Sequence, residues 1–219
     1  MKKRFIIALI TLLLLSTYNA QNHFKITSKF NIENIIIENA SLINVATVKK
    51  KLSFLYEMNL IFLRNYKIEK ELKNFDIIES FKIKKIYPNE VKIEIFEKLP
   101  IVIIQSKKEK KYFTSNGDII EYFFSEDLKD SPIVFGEPEK FKVFYLNFKK
   151  TNFPLSEIKY FYFFESSRWN LVTARGQTIK LPIKDYDNSL LNFLSIKDKD
   201  NFRKYKIFDY RINNQLILK

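Results

Sequence analysis

Apolar and polar positions alternate, cluster and change period along the chain in a way that separates three regions. Residues 5–15 are an apolar run with Thr11 its single polar side chain. From Phe30 to Glu38 the order Phe-Asn-Ile-Glu-Asn-Ile-Ile-Ile-Glu reads as a β-strand, closed by Asn39, a residue that tolerates positive φ in a turn. Val45, Val48, Leu52 and Leu55 then recur at three- and four-residue intervals, which predicts an amphipathic helix with Asn44 as its N-cap. A second, shorter helix is predicted over 67–74 from Ile68, Leu72 and Phe75. There the period drops to two. Phe81, Ile83 and Ile86 mark one strand, Pro88-Asn89 a turn, and Val91, Ile93 and Ile95 the buried face of a return strand whose other face carries Lys92 and Glu94. Strand, helix, helix, strand, strand is a unit that buries one sheet face under two helices.

Beyond Pro100 the pattern is that of strands. Residues 101–106 and 111–114 predict a hairpin across a charged tip, and Asn116-Gly117 a turn into a strand over 119–124. Residues 132–136 are a short apolar piece, residues 161–164 an aromatic one, and 169–174, 178–181, 206–211 and 215–219 are four further strand candidates. One helix is predicted over 187–196, with Asp187 as its cap. The expectation is an α+β chain whose second half is an antiparallel β-domain with helical cover.

Composition removes most chemistries. The 219 residues include no cysteine, one histidine and three isolated glycines, so thiol catalysis, zinc–thiolate sites, two-histidine metal sites and phosphate-cradling glycine loops have no raw material. Glu94 and Glu97 are the nearest approach to a hydrolytic carboxylate pair, and no pocket signature surrounds them. No catalytic residue, cofactor, metal or nucleic-acid partner is therefore expected. The net charge of +13 reflects a Lys-rich composition, with Lys49 to Lys51 and Lys107 to Lys111 as its densest runs. Two readings of it stand: base-composition drift on solvated faces, or attraction to an anionic polymer or membrane surface.

Lys2-Lys3-Arg4 followed by the apolar run is a basic cap on a membrane-addressing segment, with its amino end cytoplasmic. Residues 5–18 as a helix reach only about 21 Å, short of the ~30 Å hydrocarbon core, which favours a cleaved signal peptide. Cleavage after Ala20 would place bulky Tyr18 at −3, which favours a retained anchor. Spacing alone leaves the two open.

Tyr87-Pro88, the alternating strand after it and Glu97-Lys98-Leu99-Pro100 together resemble the POTRA domain of the FtsQ/DivIB cell-division family. Asn116-Gly117-Asp118, Ser131-Pro132-Ile133-Val134-Phe135-Gly136, Arg168-Trp169, Leu181-Pro182 and Asp209-Tyr210-Arg211 continue the resemblance in order. Asn39 stands where the family often has Gly, Ile77 where Trp is common, and the expected cytoplasmic tail is only residues 1–4. The resemblance implies an uncleaved signal-anchor over 5–22, a POTRA domain over 28–98 and a β-domain over 99–219. It implies a non-catalytic inner-membrane scaffold at the division septum, with its bulk periplasmic and with FtsB and FtsL as partners. The partner-binding residues it points to are Arg168, Asp209, Tyr210, Arg211 and Ile212. A terminal strand bearing Leu216, Ile217 and Leu218 reads as an uncovered sheet edge suited to strand addition. In the residue-level reading Tyr87 is a packing plug, Trp169 a sheet residue with Arg168 as cation–π neighbour, and Asp209–Arg211 a solvated ion pair.

Overall fold

The computed structural model describes residues 2–16, 28–106, 109–212 and 215–219. The chain divides into two compact units, residues 1–97 and 98–219.

Unit 1 begins with helix α1, Lys2–Ser16, apolar on every side, with all of its large hydrophobic side chains exposed. Its 15 residues span about 22 Å at the α-helical rise. Among the described residues no helix is long and apolar enough to cross a membrane, and residues 17–22 of the expected anchor lie outside the described residues. The rest of the unit is a three-stranded sheet under two helices. Strand β3 (Glu90–Glu97) is central, with β1 (Asn34–Glu38) parallel to it on one side and β2 (Ile78–Ile86) antiparallel on the other. Helix α2 (Val45–Lys51) starts where expected: the Asn44 side chain accepts from the amides of Ala46 and Thr47 at 2.8 and 3.2 Å. A 3-10 turn (Ser53–Glu57) and helix α3 (Tyr66–Leu72) follow. Val91, Ile93 and Ile95 are fully buried against Ile35, Val48, Leu52, Leu55, Ile68 and Leu72, as the alternation requires. Asn39 has φ 59°, the left-handed turn assigned to it. Tyr87 departs from expectation. It is 59% exposed, in the turn past the end of β2, with its ring edge-on to that of Phe30 at 6.2 Å.

Unit 2 is a nine-stranded sheet in the order β12-β11-β10-β9-β8-β7-β4-β5-β6. Its strands are β4 Pro100–Gln105, β5 Lys110–Thr114, β6 Ile119–Glu121, β7 Ile133–Phe135, β8 Ile158–Phe164, β9 Arg168–Thr173, β10 Thr178–Lys180, β11 Ile207–Asp209 and β12 Ile217–Leu218. The sheet is mixed, which corrects the antiparallel expectation: β4–β7, β7–β8 and β10–β11 are parallel pairs. At β7–β8 the reason is a missed helix. Helix α4 (Pro138–Lys150) carries β7 back to a parallel β8, and helices α5 (Tyr186–Ile196) and α6 (Asp200–Arg203) carry β10 to a parallel β11. A parallel neighbour needs such a crossover.

Pro138 opens α4, and Phe141, Phe144 and Phe148 form its buried stripe. That stripe meets Phe161 and Trp169 of the sheet, with the Phe144 and Trp169 rings 4.8 Å apart. Trp169 is thus a core residue, and Arg168 donates from Nε to Ser166 Oγ at 3.0 Å instead of covering the indole. The residue at the α5 N-cap is Asp185, at φ 56°, and not the expected Asp187, and its side chain makes no capping bond.

Candidate functional site

The β11–β12 corner of unit 2 is the site that the terminal residues build. Ile207 and Lys219 exchange both backbone hydrogen bonds, at 2.9 and 3.1 Å. In an antiparallel ladder reciprocal pairs recur every second residue, so Asp209–Ile217 is the next such pair, and Phe208–Leu218 lies between them. The N–H and C=O of Leu218 therefore point away from β11. Among the described residues β12 is the outermost strand on this side, so those groups face the edge of the sheet.

Side chains of the corner sort by parity. Phe208 and Tyr210 turn into the core, and Leu216 and Leu218 pack against it half-buried. The Tyr210 hydroxyl donates to Asn192 Oδ1 of α5 at 2.9 Å, and burial pushes its phenol well above the ordinary range. Ile212 and Ile217 are exposed. Asp209 is buried at 7% exposure and accepts from Arg211 Nε at 2.8 Å and from Arg211 Nη2 at 2.6 Å. The Arg211 guanidinium holds the Asp209 carboxyl below its usual range despite burial, and Asp209 in turn raises Arg211. This bidentate pair with a buried carboxylate corrects the expectation of a solvated one. The pair engages Arg211 through Nε and Nη2.

Asn170, Lys180, Asp209 and Ile217 form one cross-strand row. Arg168 stands at the same end of the sheet as Arg211, two strands away, and no bond joins it to Asp209 or Arg211 among the described residues. Beside the edge lies an open groove of about 570 Å³ lined by Pro182, Asn188, Asn192, Tyr210, Ile212 and Leu216. Sequence reading missed the contribution of α5. The available signal was Asn188 and Asn192 four residues apart on its polar side.

The other motif residues lie elsewhere. Pro100 is buried at the start of β4. Pro88 is in the β2–β3 turn, with a cis peptide to Tyr87. Glu97 ends β3, and its carboxylate accepts from Ser41 Oγ at 2.6 Å and from the amides of Ser41, Leu42 and Ile43 at 3.1, 3.0 and 2.7 Å. Burial alone would push this carboxyl up; the four donors outweigh it and hold it below the ordinary glutamate value. Glu97 is therefore a structural clamp on the loop between β1 and α2. With all four donors aimed at it, it has no vacancy for acid–base work beside Glu94.

Comparison with known proteins adds to this geometry. Residues 30–98 match the family model of the POTRA domain, FtsQ-type. The cell division protein FtsQ of Rickettsia typhi is 26% identical over 208 residues, 90% of this chain and 76% of that protein. FtsQ of Rickettsia conorii is likewise 26% identical over 210 residues, 92% of this chain and 77% of its own length. The major extracytoplasmic domain of the trans isomer of DivIB from Geobacillus stearothermophilus overlaps 47% of this chain and 92% of that chain, with TM-score 0.33 and 11% identity. The POTRA match over residues 30–98 and the chain-long similarity to FtsQ proteins, on a unit with strand, helix, helix, strand, strand order, bear out the resemblance to the FtsQ/DivIB family of bacterial cell-division proteins.

Proposed function

We propose that the chain is a non-enzymatic scaffold of the division machinery that captures FtsB, and through it FtsL, by strand addition at β12. In this reading α1 is retained as a single-pass inner-membrane anchor with Lys2, Lys3 and Arg4 cytoplasmic, and residues 28–219 lie on the periplasmic side at the septum. The observation that carries it is the β12 edge, whose outward N–H and C=O groups belong to Leu218 while its flanking side chains are anchored in the core. Arg211, fixed by Asp209, and Ile212 flank that edge as side-chain contacts, and the groove beside Tyr210 and Asn192 receives a partner side chain. Arg168 extends the contact row toward β9.

The parity of β12 supplies the test. Leu218→Pro removes an outward donor and leaves the Asp209–Ile217 pair in place, whereas Ile217→Pro breaks a ladder bond to β11. Leu218→Ala controls for lost packing. FtsB binding to the full chain is expected to fall about tenfold or more for Leu218→Pro relative to Leu218→Ala. Trp169 fluorescence should remain native in both and be disturbed in Ile217→Pro. Equal FtsB affinity for Leu218→Pro, Leu218→Ala and the unsubstituted chain would overturn strand addition.

A further inference from the structure

One pole of unit 1 gathers three segments that are distant in sequence. They are the stretch where the chain arrives at 28–32, the link between the 3-10 turn and α3 at 58–66, and the β2–β3 turn at 87–89. Backbone bonds tie them: Leu60 N to Phe30 O at 2.8 Å, Ile32 N to Met58 O at 3.0 Å and Glu33 N to Asn89 O at 2.9 Å. Lys85 Nζ adds a bond to the Leu63 carbonyl at 2.7 Å. Leu60 and Leu63 are buried by this arrangement, so the link is folded against the core. Even so, it leaves Ile61, Phe62, Tyr66 and Tyr87 outside at 45, 72, 70 and 59% exposure. Arg64 and Lys67 stand exposed among them and form no ion pair among the described residues.

The opposite pole is different in kind. Its exposed residues are mostly polar, Asn39, Ser41, Asn44, Asn74 and Asp76 among them. Of the large hydrophobic side chains exposed on unit 1 beyond α1, Ile61, Phe62, Tyr66 and Tyr87 gather at the pole nearest in sequence to α1, while Tyr56 lies in the 3-10 turn and Phe96, at 37%, near the end of β3. Aromatic rings at the rim, an aliphatic residue and unpaired cations are the composition of surfaces that sit at the headgroup level of an anionic bilayer. Only twelve peptide steps separate Ser16 from Ser28, so this pole stays within about 40 Å of the end of α1. A membrane holding α1 is thus presented to it at high effective concentration.

We infer that this pole is a bilayer-docking surface, with Phe62, Tyr66 and Tyr87 at the headgroup–acyl boundary and Arg64 and Lys67 on the lipid phosphates. The inference rests on the reading of α1 as a membrane anchor. Docking fixes the orientation of unit 1 on the membrane, so that the chain leaves it from the pole facing away from the lipid.

The absence of cysteine makes single-site labelling free of background. An environment-sensitive fluorophore on Asn65→Cys, exposed within the patch, is compared with the same fluorophore on Asn74→Cys at the opposite pole. The full chain is reconstituted in vesicles of phosphatidylethanolamine and phosphatidylglycerol. The label at 65 should show blue-shifted emission and quenching by spin-labelled lipid, and the label at 74 neither. Phe62→Ser with Tyr66→Ser should abolish the difference. Arg64→Gln with Lys67→Gln, or replacement of phosphatidylglycerol by phosphatidylcholine, should reduce it. Labels at 65 and 74 that behave alike on a chain that co-sediments with vesicles would overturn docking and leave the anchor standing. A chain that does not co-sediment would overturn both.

Discussion

Replacing Glu97 by Gln isolates one charge in the middle of a hydrogen-bond set that joins the end of β3 to the loop before α2. The native carboxylate takes four donors: one hydroxyl and three amides. A Gln side chain has the same shape but a single acceptor oxygen, and its NH₂ points a donor at donors. Hydrogen bonds to charged groups are worth about 1.5–3 kcal/mol each, and the site is only partly buried, so a net loss of about 2 kcal/mol from unit 1 is expected. That is a large fraction of the 5–15 kcal/mol typical of a domain, taken as an order of magnitude. The two units can be read separately in urea unfolding. The single Trp, Trp169, lies in unit 2 and reports on it by fluorescence, whereas far-UV circular dichroism sees both. Glu97→Gln should move only the component silent in fluorescence. The pH dependence has a definite sign. The folded carboxyl is held below its ordinary value of 4.5, so its contribution is complete above that pH and fades as pH falls through the lower folded value. The parent chain and Glu97→Gln should therefore converge in acid. A loss below about 0.5 kcal/mol at neutral pH, within the range of ordinary surface substitutions, or an equal fall in the Trp169 transition, would refute the clamp.

Two other substitutions probe unit 2. Gly136→Ala places a Cβ 2.8 Å from the Cβ of Phe163 and 3.6 Å from Trp169 Cη2, so the β7–β8 contact must spread. A loss of about 1–3 kcal/mol in the Trp169 urea transition is expected, and an unchanged midpoint would contradict it. Arg211→Ala leaves the Asp209 carboxylate buried without its partner and should cost about 1–3 kcal/mol at neutral pH in the same transition. Asp209 has its folded value depressed below 3.8, so the Arg211 contribution is present above that pH and is lost as pH falls through the folded value. A difference between parent and variant that grows in acid would refute the pairing.

Local rules carried unit 1 from sequence to structure. Asn44 caps α2, Asn39 takes the left-handed turn, and the Val91-Ile93-Ile95 alternation sorts the faces of β3. Each depends on neighbours within a few residues, where capping, φ preference and the two-residue strand period act. The anionic clamp at Glu97 does not. Its donors lie more than fifty residues away, and only the parallel pairing of β1 with β3 brings them to it.

In unit 2 the strands were legible singly and their pairing was not. Phe141, Phe144 and Phe148 give α4 a helical stripe, but surrounding aromatics of every phase blur it among strand-like neighbours. Without α4 the β7–β8 join has no visible crossover, and the helix expected over 187–196 between β10 and β11 reads equally as cover on an antiparallel sheet. At the site, Asp209-Tyr210-Arg211 is a contiguous motif whose members the sheet divides: Tyr210 enters the core, and Asp209 and Arg211 lock together on the other side. By itself the sequence determined the chemistry excluded by composition, the unit-1 elements and the strand character of the terminus. Tertiary structure alone decided that β12 is the outer strand and that the outward amide belongs to Leu218, because strand order and register arise from contacts between segments far apart in the chain.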